Sequence, residues 1–197
     1  GTRLSLFDCL TCDKCIPVCP NDANFVLSIP KGEIAMERLV RNGAGWTTEP
    51  AGIIALDKPW QIGVFADACN ECGNCDVFCP EDGAPYLSKP LLFGSVAAWR
   101  AAQRDGFAFE KAGDGVRVHG RIDGRAVSVE GDGSVRYRGA GFDLLLDPKN
   151  PAGSAEGTAE GPVDLTPLKI MELIRTAVTA PDAVNYISAA LAEQTST

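Results

Sequence analysis

Eight cysteines, all before residue 80, fall into two runs with one internal spacing. The first is Cys9-Leu-Thr-Cys12-Asp-Lys-Cys15-Ile-Pro-Val-Cys19-Pro20. The second is Cys69-Asn-Glu-Cys72-Gly-Asn-Cys75-Asp-Val-Phe-Cys79-Pro80. Each reads C-x2-C-x2-C-x3-C-P, the bacterial pattern for [4Fe–4S] ligation. A cubane needs thiolates at four tetrahedral corners. Three cysteines at intervals of three wrap a tight loop around one cluster, and the fourth is carried away toward a second. The expected sets are crossed. One cluster takes Cys9, Cys12, Cys15 and Cys79; the other takes Cys69, Cys72, Cys75 and Cys19. Pro20 and Pro80 lack an N–H and disfavour helix in the residue before them, so each redirects the chain after a fourth cysteine.

Other uses of eight cysteines fit less well. Disulfide frameworks belong to small exported chains. No charged–apolar–small export signal is visible here, and the cysteines stop at residue 79. Four-cysteine zinc sites pair two separate C-x2-C units rather than four cysteines in one run. A zinc-stabilised interaction module and an oxidant-sensing iron–sulfur protein stay open as alternatives to an electron carrier.

Acidic residues outnumber basic ones, 26 to 18, for a net charge of −8. Nucleic-acid binding is disfavoured, because it needs a basic face. No apolar run is long enough to span a membrane, and a cytoplasmic location is expected. Asp8, Asp13, Asp67, Glu71, Asp76, Glu81 and Asp82 crowd the two runs, with Lys14 the one cation inside either. Negative charge beside a cluster opposes its reduction, so low potentials are expected.

Between the runs, Phe25–Ile29 reads as a strand and Glu33–Arg41 as a short helix ended by Gly43-Ala-Gly45. Ile53–Leu56 and Gln61–Phe65 read as two further strands. Trp46 and Trp60 are read as packing residues that could also shield a cluster. Ser95 caps a helix running to about Arg104, with Gly106 at its end. Asp-Gly pairs at 114–115, 123–124 and 132–133 lie between alternating apolar residues, the signature of a meander of about five strands with one apolar face. Its other face carries Arg117, His119, Arg121, Arg136 and Arg138, read as a solvated surface. Asp147–Pro162 reads as a linker. Thr166-Pro167 opens a helix with the stripe Leu168, Met171, Ile174 and Val178, and Pro181 opens a second with Val184, Ile187 and Leu191. No catalytic triad, phosphate loop or dinucleotide fingerprint is present. A substrate site of the chain's own is therefore not expected, and no catalytic residue is assigned.

The blocks Cys9 to Pro20 and Cys69 to Pro80 resemble the bacterial 2[4Fe–4S] ferredoxin family. The longer stretches Asp8–Ala23 and Cys69–Tyr86 are similar to the C-terminal ferredoxin region of flavoprotein oxidoreductases related to the glutamate synthase small subunit, a group known as "putative selenate reductase" subunits. The resemblance implies two [4Fe–4S] clusters that relay electrons one at a time. It also implies a flavoprotein domain or subunit as donor or acceptor. The expected fold is α+β: a two-cluster ferredoxin-like domain over 1–93 with an insert at 25–66, a helix plus antiparallel β-meander over 94–147, a linker over 148–163, and a C-terminal helical hairpin over 164–197. The tail is expected to be dispensable for the clusters.

Overall fold

The computed structural model describes residues 6–194; the ends of the expected first and last segments, 1–5 and 195–197, lie outside them. Four strands separate the cysteine runs: β1 (Asn24–Leu27), β2 (Gly32–Asn42), β3 (Gly45–Leu56) and β4 (Gln61–Phe65). β1 and β4 pair antiparallel, with Asn24 opposite Val64 and Leu27 opposite Gln61. The start of β1 therefore lies beside the end of β4. The first run leads into β1 and the second follows β4, so one ladder brings both runs to the same end of the sheet.

After β4 the chain crosses over through the second cysteine run, α1 (Asn74–Phe78) and α2 (Pro85–Ser88) to β5 (Leu91–Phe93), parallel to β4. A second crossover, α3 (Val96–Ala102), leads to β6 (Gly106–Ala112), parallel to β5. Crossovers of this kind need a dozen or so residues, and the first one houses half of the cysteines. Ser95 caps α3 by accepting from the Ala98 N–H at 3.1 Å. The helix ends at Gln103, and Gly106 instead begins β6.

The meander follows as β6, β7 (Gly115–Ile122), β8 (Arg125–Glu130), β9 (Val135–Gly139) and β10 (Phe142–Leu146), each antiparallel to the last. Between β7 and β8 the turn is Asp123-Gly124, both at positive φ (50° and 73°), as a two-residue hairpin requires. Phe107, Phe109, Val118, Val129, Val135, Tyr137, Leu144 and Leu146 are buried on the apolar side. On the other side the cations meet carboxylates: Arg117 pairs with Glu110 and Glu130, His119 with Glu110, and Arg136 and Arg138 with Asp143. Arg121 lies over the Trp99 ring at 4.6 Å.

Several expectations are corrected. The fold is not the small α+β two-cluster ferredoxin unit with a helical hairpin appended. The meander continues the strands beside the cysteines in one mixed nine-stranded sheet, ordered β1-β4-β5-β6-β7-β8-β9-β10-β11, where β11 is Glu156–Ala159. A second sheet of three strands is ordered β12-β2-β3, where β12 is Val163–Asp164. Residues 148–163 carry α4 (Pro151–Ser154) and β11, and reach β12. The segment 33–41 is strand β2, not helix, and Gly43-Ala44 is its hairpin turn to β3. The β2–β3 register shifts between Met36 and Glu37, and Ile34 and Leu39 are buried on either side of that shift. This interruption of the period-two pattern makes β2 look helical in sequence.

The C-terminal helices are α5 (Thr166–Thr179) and α6 (Tyr186–Glu193). They do not stand apart as a hairpin. α5 packs on β1, β2, β7 and β8 and so joins the two sheets. Leu168, Met171, Ile174 and Val178 along it are buried as the stripe implied, each worth about 1.5–3 kcal/mol. Gly120 of β7 gives α5 its close approach, since a Cβ there would lie 2.9 Å from Met171 Sδ. Pro181 lies before α6 rather than opening it. Asn185 is the cap, accepting from the Ser188 N–H while Ser188 Oγ accepts from the Asn185 N–H. Val184 is exposed and Ile187 and Leu191 are buried.

Candidate metal centre

The two cysteine runs adopt matching conformations. In each, the first and fourth cysteines are half-buried, the second is exposed and the third is buried. Thr11 and Asp13 in the first run have φ of 53° and 56°; Glu71 and Gly73, at the corresponding positions of the second, have 55° and 81°. Left-handed residues between cysteines turn backbone N–H groups toward a common point and form an anion-binding nest. Thr11 N–H donates to Cys9 Sγ at 3.4 Å, and Ala23 N–H donates to Cys19 Sγ at 3.3 Å.

Cys9, Cys12, Cys15 and Cys79 line one small cavity that is partly open to solvent. Leu10, Ile62, Pro80 and Pro85 supply apolar wall, and Asp13, Glu81 and Lys89 supply charge. The fourth cysteine of the second run thus faces the first three of the first. On the other side, Cys75 is within electrostatic reach of Cys69 and Cys19. Cys15 and Cys75, the two buried thiols, share a small apolar cluster with Ile62. Among the described residues no three His, Cys, Asp or Glu side chains meet closely enough to grip one metal ion; Cys9, Cys12, Cys15 and Cys79 instead line a common cavity.

Crowded thiols resist ionisation. Burial, then Cys9, Cys12 and Cys75, pushes the Cys15 thiol up to about 12. Burial also raises Cys75, against hydrogen bonds from the Tyr86 N–H and the Asn24 side chain. Burial raises Cys79 too; the Glu81 N–H opposes it, while Cys12, Cys9 and the Glu81 carboxyl add to it. Ionising such a group of thiols needs a strong local positive charge, which metal–thiolate bonding supplies. The all-sulfur donor set, inward N–H groups and apolar wall fit an iron–sulfur cluster.

Several residues here carry no sequence motif. Asn24 is 3% exposed and donates from Nδ2 to the Cys15 carbonyl at 2.9 Å. Lys89, also 3% exposed, donates from Nζ to the Asp8 carbonyl at 2.5 Å. Burial lowers its ammonium pKa, and Cys9, Asp8, Cys79 and Cys15 pull it back up. Trp60 Nε1 donates to Asp13 Oδ1 at 3.2 Å and props the first run, whereas Trp46 packs in the main core beneath Arg41. The acids are partly engaged: Glu71 pairs with Arg104, and Asp67 accepts from the Gly94 N–H.

Residues of this chain are 30% identical over a 109-residue stretch to the protein named "Putative oxidoreductase YgfK" of Escherichia coli strain K12, and equally to its counterpart in Escherichia coli O157:H7. The stretch is 55% of this chain and 8% of those proteins. The chain therefore spans a small fraction of the length of the curated relatives it matches. No protein-family model matches the chain. No solved structure matches it.

Proposed function

We propose that this chain is an electron-transfer module that holds two [4Fe–4S] clusters within a larger oxidoreductase. The observation that carries the reading is the cavity shared by Cys79 and the first three cysteines of the other run. It supports crossed ligation by Cys9, Cys12, Cys15 and Cys79 and by Cys69, Cys72, Cys75 and Cys19. A [4Fe–4S] cluster accepts and returns one electron without making or breaking a substrate bond. The chain's part is to keep the two sets adjacent, through the apolar cluster that Cys15 and Cys75 share with Ile62, and to donate N–H groups to sulfur. Similarity to a far longer protein with oxidoreductase in its name supports a redox role. In the same reading the partner is a cytoplasmic flavoprotein domain or subunit that exchanges single electrons with the clusters. Among the described residues no helix is long and apolar enough to cross a membrane.

The test is anaerobic reconstitution. The loaded chain should carry about eight iron and eight sulfide atoms, the content of two cubanes. It should be brown and should give paramagnetic signals on reduction with dithionite. Stoichiometric zinc with no sulfide would end this reading.

A further inference from the structure

Among the described residues, Lys89 is the one charged side chain that is buried. It follows α2, on the second half of the cysteine region, yet it lines the cavity of Cys9, Cys12, Cys15 and Cys79. Its Nζ is held there by the Asp8 carbonyl, next to Cys9. Asp13 and Glu81 line the same cavity, but both are half-exposed. Water screens their charge more than that of a buried ammonium. On the second set the donors to sulfur are neutral, the Asn24 side chain and the Tyr86 N–H on Cys75 and the Ala23 N–H on Cys19, and the nearby cation Arg104 is half-exposed and paired with Glu71. A positive charge beside a cluster favours the added electron by more than a neutral donor does.

We infer that Lys89 makes the two clusters unequal: its buried ammonium holds the cluster of Cys9, Cys12, Cys15 and Cys79 at the higher potential, so that this cluster is reduced first. The inference rests on the cluster reading above and adds a direction to it. An electron entering by the other cluster runs downhill to this one. Each cluster takes one electron from its reductant, dithionite in the test below, and no bond forms or breaks.

The experiment is a potentiometric titration of the reconstituted chain with dithionite, followed by electron paramagnetic resonance. In Lys89→Met the higher midpoint should fall by about tenfold in the reduction equilibrium, ~59 mV for one electron, while the lower midpoint moves much less. Lys89→Arg, which keeps the charge, should restore the higher value. Two full clusters with unmoved midpoints, or with both moved equally, would overturn the inference and leave the cluster reading intact. A second measurement does not need the lysine variants to fold. In the otherwise native chain, Cys79→Ser should alter the signal that is reduced first, and Cys19→Ser the one reduced second. The reverse assignment would overturn the inference. A chain that takes up no iron and sulfide would remove both readings together.

Discussion

Cys79, the last cysteine of the second run, lines the same cavity as Cys9, the first cysteine of the first run. Cys79 therefore shares a cavity with thiols of the other run and not with those of its own. Replacing Cys79 by Ser should damage the cluster of Cys9, Cys12 and Cys15 and spare the one held by Cys69, Cys72 and Cys75. Resolved spectra of the two clusters check this. Loss confined to the second cluster would show that each run ligates its own.

The C-terminal helices are part of the fold that supports the site. Ile174 of α5 is fully buried in the main core. Ile174→Ala should cost about 2–5 kcal/mol, the range for a buried aliphatic truncated to alanine, read by thermal unfolding. Removing residues 166–194 should destabilise both sheets and shorten cluster lifetime. Intact, stable clusters in that truncated chain would show that α5 is not needed.

Tyr186 ties α6 to the cysteine region. Its hydroxyl donates to the Asp22 carbonyl at 2.9 Å, and its ring stacks on Phe65 at 4.6 Å. Tyr186→Phe should lose about 0.5–1.5 kcal/mol, one hydrogen bond. Tyr186→Ala should lose more, about 1–3 kcal/mol. Both should accelerate amide exchange around Asp22; unchanged exchange in Tyr186→Ala would count against the coupling.

Glu172 has an environment that favours its protonated form. Burial raises its carboxyl pKa from the ordinary 4.5, and Arg175 only partly opposes this. Its Oε1 has no hydrogen-bond partner in the structure. A folded-state pKa above the unfolded one gives stability that is present below about 4.5 and lost as pH rises through the raised value. Glu172→Gln mimics the protonated acid and should unfold at a higher temperature than the native chain at pH 8. The difference should shrink toward pH 5. A variant equally stabilised at both values would refute the titration.

The candidate site was legible as a pattern, because two cysteine runs of one spacing stand out in any fold; that they ligate clusters is the proposal made above. The meander strands were legible from alternation, and β4 as a short run after the Asp57-Lys58-Pro59-Trp60 turn. β2 was not, because the register shift at Met36 interrupts its period. The α+β ferredoxin assignment failed for a different reason. No local signal states that β5 and β6 pair parallel, so the continuity of the nine-stranded sheet across residue 93 depends on long-range pairing alone. Lys89 and Asn24 were invisible for the same reason. Each acts on a cysteine it meets only after folding, and neither belongs to a motif.

The Tyr186–Asp22 contact spans 164 residues. Synthesis must proceed 164 residues beyond Asp22 before that prop can form. Until then the loop lacks this contact. The loop at Asp22 is thus finished only by a helix made long after it, and its local order is set by the far end of the fold.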